Sequence, residues 1–373
     1  MGNSSTIPLA AYGWLTDQAL PTWAAVGYDP ASASFIERLS ITGEPLTDHP
    51  RRLMTQARQI FVYTCAHANG WFAGADEMVV RAFDSMTQRY FERDGRPGWV
   101  FSCNAAGEVV DAKRDFYGLA FSLLACASRA RLGDGTAALD LADRTLSFLD
   151  STMASPHGGY VECWPETVLP RRQNPHMHLL EALLSLHEVC PDRGYLARAT
   201  QLVGLLQQCF LQANGACLGE FFEDDWQPRN PALSFEPGHH FEWVWLLYRY
   251  EQAGGQVPAG AAAKLLDSAV KGFTTDGRLI DEIDTSGNPV APATRLWPLT
   301  EAMKALALTG SAPGPSQCWD VLFERFLSAA PAGCWHDHLS PEGDLLVEFI
   351  PASSLYHICC VFDFLANLRQ QRQ

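Results

Sequence analysis

Histidine and tryptophan side chains recur at one kind of position along this chain, at or near the start of a helix-like run and after a glycine-rich loop. His178, His239, Trp297 and His357 hold this position, with Trp99 as a weaker member. Histidine is the side chain whose charge changes near neutral pH, so several of them on one recurring step indicate acid/base chemistry in a shared cavity. The pattern therefore predicts an enzyme.

Helical spacing predicts which polar neighbours act together, because residues three or four positions apart share a face. Asn174, His178 and Glu181 fall on one face, whereas His176 points elsewhere. The order His-x-His-x-x-Glu is similar to part of a metal site, but that site needs strand geometry, in which alternate residues align. On a helix the metal interpretation weakens, and we predict no metal here.

A second histidine has an acid at the same helical spacing. Glu242 follows His239 by three positions, so its carboxylate is expected to orient the imidazole and raise its basicity. The alternative is a helix-start histidine that bonds only to backbone. The neighbouring His240 is predicted to serve packing or loop bonding.

Two further side chains are candidates for substrate contact. Trp297 shares a face with Glu301, and its indole is either a platform for a sugar ring or part of the core. Arg58 is a charge within an otherwise apolar helix, and a buried guanidinium needs an acceptor. That acceptor is a substrate oxygen or a structural carboxylate, and the sequence leaves both open.

Helical periodicity repeats along the whole chain and predicts the elements that position these residues. The connections alternate between short turns and long, glycine-capped segments that each predict a short β-strand or hairpin. Equivalent hairpin positions recur every 56 to 65 residues. They are Phe35, Val100, Tyr160, Leu218, Leu279 and Trp335. The predicted helices span roughly 12–25, 49–68, 74–91, 114–131, 136–153, 175–189, 193–212, 238–252, 259–272, 294–308, 316–327 and 353–370.

This self-similarity predicts an all-α fold, an (α/α)6 barrel of six helix hairpins with short β-hairpins at the active-site end. The second helix of each pair is expected to be the inner one, because it carries less charge. All the candidate residues fall on inner helices or on the hairpins before them, so a pocket is expected at that end. We predict one catalytic domain over residues 1–373.

Composition limits the classes of partner. The net charge of −15 without a basic block disfavours nucleic acid and anionic membranes, and no apolar stretch is long enough to cross a bilayer. The 11 cysteines lie mostly in apolar runs, and no secretion signal is evident, so a cytoplasmic location is expected. Dinucleotide, Walker, zinc-protease and serine-hydrolase motifs are missing. We therefore expect a neutral or polar small molecule as the partner and no nicotinamide or ATP cofactor. The sequence leaves monomer and homodimer open.

Four strings together resemble the N-acylglucosamine 2-epimerase superfamily, which includes cellobiose 2-epimerases and mannose isomerases. They begin at Asn174 (NPHMHLLEA), Glu236 (EPGHHFEW), Arg295 (RLWPLTEA) and Leu355 (LYH), and the second is the most specific. The resemblance implies an (α/α)6 barrel that interconverts sugars at C1 and C2 without metal or redox cofactor. It implies two catalytic histidines, His239 and His357. It also implies substrate-contacting or supporting roles for Arg58, Asn174, His178, Glu242, Trp297 and Arg229.

The second string looks more like the monosaccharide isomerase branch than the cellobiose branch, where an aspartate commonly stands at the position of His240. The resemblance therefore implies an aldose–ketose isomerase of the mannose/fructose type that works through a cis-enediolate. Two alternatives stay open within this barrel. One is a 2-epimerase acting on an N-acylhexosamine or on the reducing end of a disaccharide. The other is a glycosidase or lyase that uses hairpin carboxylates such as Glu162, Glu220 or Asp281.

Overall fold

The computed structural model describes residues 7–229 and 234–371, in which long helices alternate with short β-hairpins. The α-helices are α1 (Leu9–Gly13), α2 (Leu20–Val26), α3 (Leu53–Ala68), α4 (Ala75–Tyr90), α5 (Phe116–Arg131), α6 (Thr136–Phe148), α7 (Asn174–Val189), α8 (Tyr195–Leu205), α9 (Pro237–Gln252), α10 (Ala261–Ala269), α11 (Trp297–Thr309), α12 (Pro315–Leu322) and α13 (Leu355–Gln371). Short π-helical segments extend or join some of them, at Trp14–Ala19, Leu149–Met153, Leu206–Phe210 and Phe323–Leu327. Each of the twelve predicted helices is found.

Six of the helices form a closed inner ring. These are α3, α5, α7, α9, α11 and α13; each packs against the next, and α13 packs against α3. They are buried on almost every side over most of their length, whereas α4, α6 and α10 bury only one stripe. This difference follows from their apolar content and confirms the (α/α)6 barrel, with the second helix of each pair inside. None of the described helices combines the length and apolarity needed to cross a bilayer.

The starts of the inner helices share one end of the barrel. Proline stands in the first turn of three of them, as Pro175, Pro237 and Pro298, where its missing N–H costs nothing. The Asp115 side chain caps α5 by accepting the Gly118 N–H at 2.9 Å. First-turn side chains from six helices therefore converge at this end.

A belt of short strands surrounds the same end. Its closing pair joins β17 (Phe349–Pro351) to β3 (Arg38–Ser40), so the last hairpin is tied to the first. The other strand pairs are β1 (Tyr28–Asp29) with β2 (Ser34–Phe35), β4 (Arg51–Arg52) with β5 (Ser102–Cys103), β5 with β6 (Val109–Asp111), β7 (Arg114–Asp115) with β8 (Cys163–Trp164), β9 (Arg171–Arg172) with β12 (Phe221–Phe222), β10 (Leu211–Gln212) with β11 (Cys217–Leu218), β13 (Glu282–Ile283) with β14 (Pro289–Ala291), and β15 (Thr294–Arg295) with β16 (His338–Leu339). All pairs are antiparallel. Short strands occur in five of the six predicted segments, and the third segment contains an isolated bridge between Ala154 and Tyr160.

Candidate active site

One side chain from each inner helix contributes to a single layer in the first two turns. In ring order the members are Arg58, Phe121, His178, Glu242, Glu301 and His357. The Arg58 guanidinium lies 4.2 Å from the Phe121 ring centroid, and that ring lies 4.6 Å from the His178 ring. Nδ1 of His178 is 3.8 Å from a Glu242 oxygen. The barrel thus brings together residues far apart in the chain.

The layer closes through α11 and α13. Nδ1 of His357 is 2.9 Å from Oε1 of Glu301. Ligand atoms of Glu242, Glu301 and His357 all lie within 4.8 Å of one another. On the other side, Arg58 lies 4.9 Å from the ring centroid of Tyr356, the residue before His357. Four residues predicted from the sequence, together with Glu301, therefore line one small space.

His239 lies one turn nearer to the hairpins, and its partner differs from the predicted one. Its Nδ1 is 3.0 Å from both carboxylate oxygens of Glu220, and its Nε2 is 3.0 Å from Nδ2 of Asn174. The pairing of His239 with Glu242 was wrong. Glu242 belongs to the deeper layer beside His178, while Glu220 reaches the imidazole from the segment between β11 and β12.

The charges around His239 favour its cationic form. Burial by itself lowers the pKa of this imidazole, but the carboxylates of Glu220 and Glu236 outweigh burial and raise the pKa to about 10. Glu236 contributes from 3.7 Å. Asn174 suits either protonation state of His239, because an amide presents its oxygen to an N–H or its NH2 group to a bare nitrogen.

His357 has the opposite preference. Burial lowers its pKa well below the usual 6.5, and the positive charges of Arg58 and Lys304 add to this effect. The ring is therefore neutral at physiological pH. When Glu301 is ionised, Nδ1 carries the proton and donates it to the carboxylate, which leaves the free lone pair on Nε2. The two imidazoles thus differ in charge although both are bound to a carboxylate.

Trp297 lies between the two histidines. Its ring centroid is 5.0 Å from that of His239 and 5.5 Å from that of His357. Gly238 makes this possible, since a Cβ at that position would come within 2.6 Å of the indole and 2.9 Å of Pro298. Both imidazoles therefore adjoin the same indole ring, which is the kind of side chain that supports an apolar sugar face.

The prediction that His178 and Glu181 share one face of α7 is confirmed. His178 is 3.1 Å from a Glu181 oxygen through Nδ1, and the other Glu181 oxygen accepts a hydrogen bond from the Tyr356 hydroxyl. Burial lowers the pKa of His178 to about 4, whereas its hydrogen bond helps to lower the pKa of Glu181 to about 2 against the effect of burial. His178 is therefore a neutral imidazole that is bonded to the ionised carboxylate of Glu181.

Several buried polar atoms near these histidines have no hydrogen-bond partner among the described residues. The atoms that lack a hydrogen-bond partner are Nε of Arg58, Oδ1 of Asn174, Oε1 of Glu242 and Oε2 of Glu301, although the last two lie within ion-pair distance of His178 and Lys304. The other Arg58 nitrogens donate to the Tyr117 hydroxyl at 2.6 Å and to the Ser353 carbonyl at 3.3 Å. Burial raises the pKa of Glu242 well above 4.5, so this side chain is a neutral acid. Unsatisfied buried groups cost roughly 1–3 kcal/mol each, which sugar hydroxyls would recover.

The hairpin carboxylates recur two positions after the equivalent residues of the repeat, and each one is engaged. Glu162 accepts the backbone N–H of Arg172 at 2.6 Å and its Nε–H at 2.7 Å. Asp281 accepts the backbone N–H of Arg295 at 2.9 Å and binds His338 at 2.7 Å. Glu220 instead binds His239. The acids considered for a glycosidase therefore hold the barrel mouth and orient an imidazole.

Other candidate residues lie elsewhere. Arg229 is exposed and pairs with Glu223 at 2.8 Å, so its implied sugar contact stays a prediction. Trp99 is fully buried and donates to Thr145 at 2.9 Å. His240 donates to the Leu265 carbonyl at 3.2 Å and accepts the Leu218 N–H at 2.9 Å, which confirms its predicted role in loop bonding.

Three groups of histidine and carboxylate atoms are close enough to hold a metal ion. They are His178 with Glu181 and Glu242, His239 with Glu220 and Glu236, and His357 with Glu242 and Glu301. In each group Nδ1 already bonds to a carboxylate, so only Nε2 points away from the cluster. The expectation of metal-free chemistry stays a prediction.

The large cavities of the structure are not lined by His239 or His357. A cavity of about 700 Å³ opens at the hairpin end and is lined in part by Asp115, Glu162, Arg172 and Phe221. Another of about 390 Å³ lies at the opposite end, beside the last turns of α5, α7 and α9. His239 and His357 retain exposures of 5% and 6%, so the layer is almost closed. We assign the site from the chemistry of its side chains.

The fold and site define a class of barrel enzymes in which two carboxylate-bound imidazoles adjoin one indole ring. A sequence model of the family described as N-acylglucosamine 2-epimerase (GlcNAc 2-epimerase) matches residues 34–361, and the chain belongs to that family. The chain is 34% identical to a mannose-6-phosphate isomerase of Rhizobium meliloti (strain 1021), over 93% of this chain and 94% of that protein.

Two solved structures show the same fold. Cellobiose 2-epimerase from Bacillus thermoamylovorans B4167 superposes with a TM-score of 0.85 at 18% identity, covering 95% of this chain and 98% of that one. A D-mannose isomerase superposes with a TM-score of 0.84 at 21% identity, covering 98% and 99%. The family resemblance and the barrel predicted from the sequence are confirmed, and the chain is an isomerase or epimerase.

Proposed function

We propose that this chain is an aldose–ketose isomerase of the mannose/fructose type, with His357 as the base and His239 as the acid. The observation that carries the proposal is the opposite charge preference of two imidazoles beside the same indole. A carbon acid next to a carbonyl needs a neutral base for the proton and a donor for the oxygen. The family and the name of the Rhizobium relative support this reaction class.

The first step takes the proton from C2 of the open-chain aldose. Nε2 of His357 accepts it, the C–H electron pair forms the C1–C2 double bond, and the carbonyl electrons move to O1. Glu301, bound to Nδ1 at 2.9 Å, stabilises the imidazolium that forms. A positioned base of this kind contributes typically about 10²–10⁴-fold.

The second step needs no further reagent. His239 gives a proton to O1 of the cis-enediolate and then takes the proton of O2 as the ketone forms. His357 returns its proton to C1, which completes the ketose. If His239 instead gives its proton to the opposite face of C2 while the C1–O1 carbonyl re-forms, the product is the 2-epimer. The same two groups therefore serve either outcome.

The enediolate oxygens need donors that are already in place. Arg58 offers a buried Nε–H, and its guanidinium is held by Tyr117 and Ser353. His178 is neutral and is bonded through Nδ1 to Glu181, so its Nε2 accepts a hydrogen bond from a sugar hydroxyl. A preorganised donor such as Arg58 contributes about 3 kcal/mol to stabilising developing negative charge.

The test is proton NMR in deuterated water with mannose, fructose, glucose, N-acetylmannosamine, cellobiose and mannose 6-phosphate. We expect deuterium at C1 of the ketose and at C2 of the aldose. His239→Ala and His357→Ala should each lower turnover at least 100-fold, since each loses a proton carrier. His67→Ala, at a half-exposed histidine near the end of α3, is the matched control.

Three results would change the assignment. Full turnover in either active-site variant would remove that histidine from the mechanism. Label at C2 with inversion and no ketose would make the enzyme a 2-epimerase. Release of reducing ends from a glycoside, without exchange at C2, would contradict the proposal in favour of hydrolysis.

A further inference from the structure

Lys304 is a buried cation that the proton transfers described above do not use. It lies on α11, three residues after Glu301, and its side chain is fully buried. Together with Trp245 and Cys360 it forms a second layer beneath the histidines. An ammonium group in this position is costly unless an anion compensates for its lost hydration.

Its contacts point to one anion. Nζ is 2.6 Å from Oε2 of Glu301, 3.4 Å from the Trp245 ring centroid and 3.5 Å from Sγ of Cys360. Among the described residues, Glu301 is the one carboxylate within ion-pair distance of Lys304. Since the other Glu301 oxygen is 2.9 Å from Nδ1 of His357, an unbroken chain of contacts joins Lys304 to the proposed base.

The surroundings of Glu301 show why a cation is needed there. Burial raises the pKa of Glu301, the nearby Glu181 raises it further, and Lys304 acts in the opposite direction. Glu242 lies in the same space and is neutral. Without Lys304, Glu301 would be left as a second buried anion near Glu181 and would take up a proton instead.

Protonation of Glu301 would change the chemistry of His357. A carboxylic acid donates its O–H to Nδ1, so the imidazole proton moves to Nε2. In the proposed reaction Nε2 takes the proton of C2, and once Nε2 carries a proton of its own it has no lone pair for that step. The charge of Lys304 therefore affects proton transfer by controlling which nitrogen of His357 carries the proton.

We propose that Lys304 is a positioning residue that keeps Glu301 ionised and thereby holds His357 in the Nδ1–H tautomer. The consequence for proton transfer at C2 rests on the proposed function, whereas the tautomer itself does not. The titratable groups that face this pair are His178, Glu181, Glu242 and Cys360.

The direct test reads the tautomer without substrate, by long-range proton–nitrogen NMR of protein labelled with ¹⁵N-histidine. The His357 signals are assigned with His357→Asn. We expect the Nδ1–H tautomer in the wild type and the Nε2–H tautomer in Lys304→Met. Cys360→Ala, which disturbs the same layer but leaves Glu301 in place, should keep the wild-type pattern. Retention of Nδ1–H in Lys304→Met would overturn the proposal.

Kinetics give an independent readout through a double-mutant cycle. Lys304→Met should lower kcat at neutral pH about 100-fold, and activity should recover as rising pH ionises Glu301. In the Glu301→Gln background the same substitution should change kcat less than about twofold, because Lys304 acts through the missing carboxylate. Equal losses in both backgrounds, or an unshifted acidic limb of the pH profile, would show a merely structural role.

A double variant answers the same question if Lys304→Met fails to fold. Lys304→Met leaves a buried carboxylate without its cation, which can prevent folding, whereas Lys304→Met with Glu301→Gln removes both charges. Comparison of that double variant with Glu301→Gln alone then decides whether Lys304 matters beyond Glu301. If the wild type exchanges no sugar proton, the proposed function fails, while the tautomer measurement still answers the question about Lys304.

Discussion

Substitution of Glu220 by glutamine tests the assignment of His239 as the acid. Glutamine keeps the size of the side chain and removes the charge that lies 3.0 Å from Nδ1 of His239. The second carboxylate, Glu236, is too weak a replacement, because it is 3.7 Å away and burial raises its own pKa to about 7. The imidazole would then be buried with little to compensate for its charge.

The size of the effect follows from the change in pKa. Glu220 is the largest influence that raises the pKa of His239 from 6.5 to about 10, a shift equivalent to at most about 5 kcal/mol. When it is lost, the pKa should return to 6.5 or below. At pH 8 the protonated fraction would then fall from nearly all molecules to about 3%. Since the acid must be protonated, kcat/KM at pH 8 should fall at least tenfold.

The assay is kcat/KM for aldose–ketose conversion measured from pH 5 to pH 11. The wild type should hold a plateau through neutral pH and lose activity as pH rises through about 10, the pKa of His239. In Glu220→Gln this alkaline limb should move below pH 7. Glu162→Gln is the matched control, because Glu162 occupies the equivalent hairpin position but binds Arg172. An alkaline limb that stays in place in Glu220→Gln would refute the assignment of His239.

Three further predictions concern the same site. Gly238→Ala should displace the Trp297 indole, which lies 2.6 Å from the added Cβ, and lower kcat/KM at least tenfold at a stability cost of about 1–3 kcal/mol, measured by kinetics and urea unfolding. Unchanged activity would show that the indole does not position the sugar. Glu242→Gln should keep activity within about tenfold of the wild type, because burial already keeps Glu242 neutral, whereas Glu301→Gln should lose far more; equal losses would contradict this distinction. Dialysis against a chelator should leave kcat/KM unchanged, and activity restored only by a divalent ion would identify one of the histidine–carboxylate groups as a metal site.

Local rules predicted the partner of one histidine and failed for another. Glu181 follows His178 by three positions and is its partner, since both side chains lie on the same buried face of α7. Glu242 follows His239 at the same spacing, yet His239 binds Glu220, which lies on a hairpin 19 residues earlier. Helical spacing shows which side chains share a face, but a bidentate carboxylate reaching in from another element competes successfully for the imidazole.

Comparison of the sequence repeats would have predicted that Glu220 is the partner of His239. In neighbouring repeats the equivalent hairpin acids bind an arginine at the start of the inner helix, as Glu162 binds Arg172 and Asp281 binds Arg295. In the fourth repeat that helix-start position is Glu236, so the hairpin acid has no arginine to bind. An acid whose usual partner is absent is available for the histidine beside it.

The sequence by itself determined the repeat, the inner and outer helices and the positions of the two histidines, because apolar periodicity and turn residues act over short stretches of chain. Only the tertiary structure decided that His239 is cationic and His357 neutral. Those charges depend on which carboxylates and cations surround each ring once six helices close into a barrel, and Glu220, Glu301 and Lys304 lie 19 to 56 positions from the rings they influence. Electrostatic effects in a buried site act over distances in space, and spacing along the chain does not report those distances.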